Sequence, residues 1–287
     1  MDNLKEMRNT NKKIVVLLFA FLGLNSFGQQ LKLMTYNIRL DLESDGENDW
    51  THRKGFFTDQ IRFYEPDILG IQEAKPNQVV DMANALTNYA FVGIGREGVG
   101  KGESSNIFYN KNRFTVKSST TFWLSETPDT ISKGWDAACN RVCTYALFKD
   151  KSSNKTFWVF NTHLDHIGET ARTKGIELIL SKIKAVNTGG FPVVFMGDFN
   201  SEPSAERIQN LKKVMNDSRD ITLQKPFGPS GTFNGFKHNE PVTQLIDYIF
   251  ISRDGRIQVN KYAVLSDAKD LKDPSDHLPV YIETNFK

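Results

Sequence analysis

Acidic, amide and imidazole side chains recur in this sequence where short apolar runs begin or end. Carboxylates and imidazoles can transfer protons, and carboxylate and amide oxygens bind hard cations. One charged residue at the end of a strand means little, but ligands and catalytic groups gather where strand ends converge on a rigid sheet. The polar ends are Asn37-Ile38-Arg39, Gln72-Glu73, Asn161-Thr162-His163-Leu164-Asp165-His166, Gly197-Asp198-Phe199-Asn200, Asp247 and Ser275-Asp276-His277.

The elements that must position these residues are mostly strands. Runs rich in β-branched and aromatic residues, with turn residues between them, predict strands at 31–38, 67–71, 91–94, 106–109, 114–117, 141–148, 156–162, 193–196, 247–251, 262–265 and 278–283. Helical spacing predicts helices at 54–64, 76–86, 171–186 and 205–214, the last with Ser204 as its N-cap. Because strands are many and helices few, the sequence predicts two packed sheets with helices outside.

The first residues have the three-part pattern of a secretory signal. Two lysines, Lys12 and Lys13, precede an apolar run at 14–24, and small and polar residues follow it. The run is shorter than the about 20 residues that cross a bilayer. We therefore predict a signal peptide at 1–28, a domain at 29–287, and an exported protein, periplasmic or secreted, with no stable membrane association after cleavage.

The composition argues against one class of partner. With 39% hydrophobic and 24% charged residues, the chain is typical of a globular protein, and we expect a monomer. Four of the 36 basic and two of the 34 acidic residues lie in 1–28, so 32 of each remain after cleavage. Proteins that depend on duplex nucleic acid usually carry a basic excess, which this chain lacks, although a local basic patch stays open.

The two cysteines are Cys139 and Cys143, at the start of a predicted strand. Four extended residues span about 13 Å, which is beyond the reach of a disulfide. We expect two packed thiols, and a bridge would require the chain to bend there.

The ordered set of polar ends resembles the endonuclease/exonuclease/phosphatase superfamily, which includes the deoxyribonuclease I-like enzymes. The resemblance covers the chain from about residue 31 to residue 287, and the segments at 122–128 and 132–138 resemble an exported bacterial subgroup of unknown substrate. It implies an α+β four-layer sandwich (α/β/β/α), with two packed mixed β-sheets flanked by helices. It is specific for the superfamily but not for the substrate, because one site serves nucleases, sphingomyelinases and phosphatases alike.

The resemblance implies a divalent metal ion bound by Glu73, with Asn37 beside it and Asp276 on the other side. Mg²⁺ prefers hard oxygen donors of this kind, and Mn²⁺ is an alternative. No cysteine or histidine set with zinc spacing is present in the sequence, which argues against zinc. The alternative interpretation of Glu73 is a solvated carboxylate at the end of a strand.

The same resemblance gives roles to four further residues. Asp198 would orient or deprotonate the attacking water, and Asn200 would hold a phosphate oxygen. His277 would face the phosphoryl group, while Asp247 would accept its other ring proton. Asp247 has apolar neighbours on both sides, so a partner is expected because an unpaired buried carboxylate is costly. The alternative for Asp247 is an ordinary charge on an edge strand.

His163 is the second imidazole of the set. In the deoxyribonuclease branch a glutamate pairs with this histidine, and Glu103 has the matching placement, so we predict a Glu103–His163 pair for general acid or phosphate-contact work. Glu103 follows a glycine-rich segment at 93–102, so a simple loop charge is the alternative. Asn106, on the strand after Glu103, is a further candidate for substrate contact.

Three more residues are candidates for substrate binding. Arg141 precedes a predicted strand at the place where deoxyribonucleases carry a phosphate-contacting arginine, and a surface salt bridge is the alternative. Arg39 is a weaker candidate for the same phosphate-contacting role. Trp135 could stack on a base or sugar face, or could simply pack its loop.

These expectations together predict a divalent-metal-dependent phosphoesterase. The substrate is a nucleic acid, a nucleotide or a small phosphorylated molecule, and the bond is a phosphodiester or a phosphomonoester. A sphingomyelinase-like lipid phosphodiesterase and a non-catalytic binding protein on the same fold are the alternatives.

Overall fold

The computed structural model describes residues 30–287, so the predicted signal peptide at 1–28 lies outside the described residues. Those residues form two six-stranded sheets. The first sheet has, in spatial order, β11 (Ile257–Val264), β12 (Val280–Phe286), β1 (Gln30–Asn37), β2 (Ile68–Gln72), β4 (Ile107–Asn110) and β3 (Tyr89–Val92). The second has β5 (Phe114–Trp123), β6 (Val142–Asp150), β7 (Thr156–His163), β8 (Val193–Asp198), β10 (Asp247–Ser252) and β9 (Met215–Asp217).

Helices lie against the outer faces of the two sheets. They are α1 (Trp50–Tyr64), α2 (Pro76–Ala85), α3 (Glu169–Val186), α4 (Glu206–Val214) and α5 (Ser218–Ile221), with a 3₁₀ helix at Glu43–Asn48. Phe57 of α1 and Met82 of α2 pack on the first sheet, and Ile179 of α3 and Ile208 of α4 pack on the second. The predicted α/β/β/α sandwich is therefore confirmed.

The core between the sheets is formed by the inner faces of the strands. Leu33 and Ile68 from the first sheet meet Val159 and Val194 from the second, and all four are fully buried. These strands are apolar on both faces because helices cover the outer sides, which explains why their sequences run apolar without strict alternation.

The strand directions bring the polar ends to one edge of the sandwich. β1 runs parallel to β2, so Asn37 lies beside Gln72, and β7 runs parallel to β8, so His163 lies beside Asp198. β10 is antiparallel to β8 and therefore begins where β8 ends, with Asp247 opposite Asp198. β12 begins beside the end of β1 for the same reason.

A buried polar bridge joins the two sheets beneath this edge. Gln72 Nε2 on β2 donates to Asn161 Oδ1 on β7 at 2.7 Å, and Asn161 Nδ2 donates to the carbonyls of Ile71 and Asn106, each at 2.9 Å. Gly70 makes room for this contact, because a Cβ at that position would lie 2.8 Å from Asn161 Oδ1. These hydrogen bonds thus tie the two sheets together directly below the polar ends.

The predicted elements exist, with differences at their boundaries. β5 continues to Trp123 and β11 begins at Ile257. A run of exposed polar residues hides the second half of β5, and polar residues that alternate with buried ones hide the first half of β11. β9 and α5 were not predicted, since elements of three and four residues are too short for periodicity. Ser204 is not the N-cap of α4: Ala205 takes that position with extended backbone and no side-chain cap.

Both cysteines are free thiols, as expected. Cys143 is fully buried on β6, and Cys139 lies partly buried in the loop before that strand. Separately, none of the helices within residues 30–287 has both the length and the apolar character needed to cross a bilayer.

Candidate active site

A cavity of about 430 Å³ opens at the edge where the polar ends meet. Glu73, Asp198 and Asp276, which come from three distant parts of the chain, all line it. The full lining is Arg39, Leu40, Glu73, Arg96, Glu103, Cys139, Arg141, His163, His166, Asp198, Asn200, Phe233, Gln244, Ile246, Asp276 and His277. A volume of this size is within the range of small-molecule sites.

A buried acid–imidazole–acid group occupies the floor of the cavity. His277 Nδ1 donates to Asp247 Oδ2 at 2.9 Å, and His277 Nε2 lies 3.8 Å from Asp198 Oδ2. Asp247 and Asp198 are each 1% exposed and His277 is 4% exposed. The predicted orientation of His277 by Asp247 is therefore present, and it follows from the pairing of β10 with β8.

Burial and neighbouring charge fix the protonation of this group. Burial opposes the charge on His277, but the Asp247 carboxylate and then Asp198 and Asp276 outweigh it and raise the pKa of His277 to about 10. Burial, followed by repulsion from Asp247, raises the pKa of Asp198 to about 7. His277 is thus an imidazolium at neutral pH, and Asp198 can exchange a proton there.

A strap formed by residues 231–235 holds Asp247 and His277 together. Thr232 Oγ1, fully buried, donates to Asp247 Oδ2 at 2.6 Å, and the Leu278 amide donates to the Thr232 carbonyl at 2.6 Å. The Phe233 ring packs edge-on against the imidazole of His277, with the ring centroids 5.0 Å apart. The sequence alone does not single out Thr232 and Phe233, because they lie in an irregular segment whose recognisable feature is its glycines, which indicate a turn but no function.

Oxygen donors on the other side of the floor come from Glu73 and Asp276. Glu73 accepts hydrogen bonds from Asn37 Nδ2 at 3.0 Å and from the Leu40 amide at 3.0 Å, which leaves further lone pairs on both oxygens. Asp276 is 7% exposed, but its nearest donors are distant: Ser275 Oγ at 3.4 Å and Arg39 Nη1 at 3.8 Å. Burial, and after it the nearby Glu73 charge, raise the pKa of Asp276.

This donor set fits a hard divalent cation. Two carboxylates that repel each other, one of them buried with weak partners, are stabilised by a cation that prefers oxygen ligands. Asn37 departs from its predicted role in one respect: its Nδ2 donates to Glu73 and, at 2.9 Å, to Asp198, while its Oδ1 accepts from the Arg39 amide. As placed, Asn37 ties the two carboxylates together rather than directing its oxygen between them.

A close group of Asp198, Asp247 and His277 also has ligand atoms within 4.8 Å of one another. The hydrogen bond between His277 and Asp247 accounts for that spacing, and an imidazolium has no free lone pair for a metal. A second close group, Cys139 with Asp165 and His166, already holds the Arg141 guanidinium: Nε lies 3.3 Å from Asp165 Oδ2 and Nη2 lies 2.8 Å from His166 Nδ1. The Glu73–Asp276 side is therefore the better cation site.

Three lining residues have left-handed backbone. Arg39, Glu73 and Asn200 have φ angles of 56°, 65° and 44°, values that side chains other than glycine adopt rarely. Such strained positions cluster at functional sites, where the surrounding structure holds them. At Asn200 the turn is held by its own amide, which donates to Asp198 Oδ1 at 2.8 Å.

His163 differs from His277 in its charge. Burial first, and then the Arg141 charge, lower the pKa of His163 well below its ordinary value, so this imidazole is neutral. Its Nε2 accepts from Asn200 Nδ2 at 3.0 Å, and the same amide group donates to the Leu164 carbonyl at 3.0 Å. The Asn200 amide is thus engaged inside the protein, although Asn200 lines the cavity as predicted.

The predicted Glu103–His163 pair is wrong. Within residues 30–287 Glu103 forms its ion pair with Arg96, at 2.6 Å between Nη2 and Oε1 and 3.0 Å between Nη1 and Oε2. The reason is local: the Arg96 amide donates to the Glu103 carbonyl at 2.8 Å, so the two residues face each other on a hairpin. Arg96, in the glycine-rich segment, was missed because its partner depends on that hairpin.

The four predicted substrate-binding residues divide into two groups. Arg141 and Arg39 line the cavity, and Arg39 is also held by Asp45 through two hydrogen bonds of 2.9 Å. Asn106 and Trp135 are not among the lining residues. Asn106 is 2% exposed and bonded to Ser104 and the Val92 carbonyl, so it supports the strand; Trp135 belongs to a loop anchored on Glu126.

The chain is similar to a known protein family and to proteins of known structure. The sequence model of the Endonuclease/Exonuclease/phosphatase family matches residues 34–277. A crystal structure of an endonuclease/exonuclease/phosphatase family protein from Bacteroides thetaiotaomicron is 35% identical, covers 91% of this chain and 99% of that one, and superposes with a TM-score of 0.86.

Two further relatives extend the comparison. The structure of a mannosyl-6-phosphatase from Bacteroides thetaiotaomicron is 36% identical, covers 89% of this chain and 100% of that one, and has a TM-score of 0.85. An uncharacterized protein of Acanthamoeba polyphaga mimivirus is 28% identical over 262 residues, which are 81% of this chain and 91% of that protein.

Proposed function

The chain belongs to the endonuclease/exonuclease/phosphatase family and is a phosphoester hydrolase, and from that premise we propose that it removes phosphate from small phosphorylated carbohydrates with the help of a divalent cation. The observation that carries the proposal is the meeting of an imidazolium, a proton-exchanging carboxylate and an all-oxygen donor pair in one cavity. No other grouping of lining residues offers a base, a cation and metal ligands together within residues 30–287.

Glu73 and Asp276 would hold the cation, with Mg²⁺ as the first choice and Mn²⁺ as an alternative. A bound divalent cation supplies neutralisation of charge on the phosphoryl and leaving oxygens. Asn37 keeps the Glu73 and Asp198 carboxylates in place through hydrogen bonds of 3.0 and 2.9 Å.

The protein's own groups carry the remaining chemistry. Asp198 accepts a proton from the water whose oxygen attacks phosphorus. As the bond from phosphorus to the alcohol oxygen breaks, the departing alkoxide takes a proton from solvent, so that the products are the free alcohol and phosphate. The His277 imidazolium, held by Asp247, donates toward the phosphoryl oxygens as their negative charge grows. His163 is neutral and supports Asn200, so it contributes shape and a hydrogen bond rather than charge.

Three observations favour a small sugar phosphate over a polynucleotide. The cavity has the volume of a small-molecule site. Residues 29–287 have equal numbers of basic and acidic residues, whereas binding to a phosphate backbone depends on positive charge. A relative that is 36% identical over nearly its whole length is a mannosyl-6-phosphatase.

The test uses purified residues 30–287 with Mg²⁺ and measures release of product from mannose 6-phosphate, bis(4-nitrophenyl) phosphate and single-stranded RNA. We expect the highest kcat/KM for the sugar phosphate, full loss with EDTA, and loss in Asp198→Asn. Asp217→Asn is the matched control, since Asp217 is also buried but pairs with Lys212 away from the cavity.

Two other outcomes of this assay would change the proposal. Faster cleavage of RNA or of the diester would replace the sugar phosphate by that substrate. An absence of EDTA-sensitive hydrolysis of all three compounds would refute the catalytic proposal and favour a binding protein on this fold.

We also propose that residues 1–28 direct export of the protein to the periplasm or the medium. Expression of the full chain followed by fractionation and mass spectrometry of its N-terminus tests this. An exported protein that begins near residue 29 is the expected result, and a cytoplasmic protein that retains residues 1–28 would contradict it.

A further inference from the structure

One wall of the cavity is formed by charges that cancel in pairs. The Arg96 guanidinium faces the Glu103 carboxylate through two short contacts, and both side chains are partly exposed, at 19% and 14%. Next to them, the Arg141 guanidinium contacts Asp165 and His166, while its Nη1 makes no hydrogen bond to any residue of 30–287. We call this surface, formed by Arg96, Glu103, Arg141 and His166, the paired-charge wall.

The paired-charge wall lies on one flank of the reacting centre, and Phe233 and Ile246 lie on the other. Arg141 immediately precedes β6 and Ile246 immediately precedes β10, and β7 and β8 run between those strands. Three strand spacings separate the flanks by about 14 Å. A phosphoryl group beside Asp198 and His277 leaves room for the rest of a substrate to lie against the wall.

The chemistry of the wall excludes two kinds of substrate group. A second phosphate would approach the carboxylate of Glu103, whose repulsion opposes the attraction of Arg96, and Asp165 offsets the charge of Arg141 in the same way. An apolar group would remove two ion pairs from water without replacing their hydrogen bonds, which is costly. A neutral group that both donates and accepts hydrogen bonds meets neither penalty.

We infer that the paired-charge wall binds adjacent hydroxyl groups of a neutral, polyhydroxylated leaving alcohol, and that Arg96 and Glu103 are the residues that select it. A guanidinium N–H donates to one hydroxyl oxygen, and the carboxylate accepts from the neighbouring hydroxyl, so one fixed pair recognises a diol. This inference rests on the proposed phosphatase function and assigns its specificity to residues that perform no chemistry on phosphorus.

The first test needs no variant. The wild-type protein is assayed with mannose 6-phosphate and with cyclohexylmethyl phosphate, which has a similar ring without hydroxyls. A site built to bind hydroxyl groups rejects an analogue that lacks them, so we expect kcat/KM to differ by more than about 100-fold. Equal rates on the two esters would overturn the inference while leaving the phosphatase function intact; no turnover of either would refute the function itself.

The second test asks whether Arg96 and Glu103 cause the preference for the hydroxylated ester. Arg96→Gln and Glu103→Gln are each expected to lower the ratio of kcat/KM for mannose 6-phosphate to that for cyclohexylmethyl phosphate by more than about tenfold. Arg62→Gln is the matched control, because Arg62 is an exposed arginine on α1 that pairs with Asp59 at 2.8 Å, and its ratio should equal that of the wild type. Variants that lower both rates in the same proportion would contradict the assignment.

Discussion

Replacement of Asp247 by asparagine is the sharpest perturbation of this site. Asp247 Oδ2 accepts from His277 and Thr232, while its Oδ1 is buried and has no hydrogen-bond partner among residues 30–287. The asparagine oxygen can therefore keep both hydrogen bonds by taking the place of Oδ2, with the amide nitrogen at the position of Oδ1. The change removes the negative charge next to His277 and preserves the geometry.

The size of the effect follows from the distance between the charges. Two unit charges 2.9 Å apart interact by about 6 kcal/mol at an effective dielectric constant near 20. Asp198 and Asp276 stay near His277 and retain part of its charge, so the full amount is not lost. We expect kcat to fall on the order of 10³-fold, which corresponds to about 4 kcal/mol in the activation barrier.

The assay is steady-state kcat at saturating Mg²⁺ on the best substrate, with thermal unfolding to show that the variant is folded. Asp217→Asn, which changes a buried carboxylate that faces Lys212, is expected to keep wild-type kcat. A folded Asp247→Asn protein with kcat within threefold of the wild type would show that the charge of Asp247 does not support catalysis.

Three further predictions use stability and activity together. Mg²⁺ at 100 times its Kd should stabilise the protein by about 2.7 kcal/mol, and Glu73→Gln should abolish the rise in Tm; an equal rise in the variant would place the metal elsewhere. Gly70→Ala should lower the free energy of unfolding by about 1–3 kcal/mol, since its Cβ would lie 2.8 Å from Asn161 Oδ1. Gly55→Ala, on the exposed face of α1, should instead raise it by about 0.5–1 kcal/mol. Urea unfolding compares the two variants, and equal effects would contradict the packing argument. Thr232→Val should lower kcat about tenfold and leave KM little changed, because it removes the hydroxyl that donates to Asp247 at 2.6 Å. A change in KM alone would contradict a positioning role for Thr232.

The sandwich and the edge that carries the site were predictable because their signals are local. An apolar run such as that of β8 forms a buried strand wherever it packs. Asp198, its last residue, and Asn200, two residues later, must therefore lie at the strand's end. Parallel pairing of β7 with β8 then puts His163 beside Asp198. The order of the polar ends along the chain supplied the resemblance to the family.

Partner choice was less predictable. Glu103 was expected to face His163, but the hairpin that contains Arg96 brings a guanidinium to Glu103 first. Asn106 was expected to contact the substrate, but it is buried beneath the floor of the cavity, where its carbonyl accepts from Asn161. Both errors concern which of several polar neighbours a side chain meets, and that depends on segments far apart in sequence.

The sequence by itself determined the strands, the layers and the set of residues gathered at one edge, because apolar periodicity and strand ends are properties of short segments. The charge states and the wall were decided by tertiary structure alone. An imidazole of ordinary pKa becomes an imidazolium at His277, because the surrounding carboxylates outweigh burial there. At His163 it stays neutral, because burial, and after it the Arg141 charge, lower its pKa. Desolvation and Coulomb interactions act through space, so the fold must exist before they have a value.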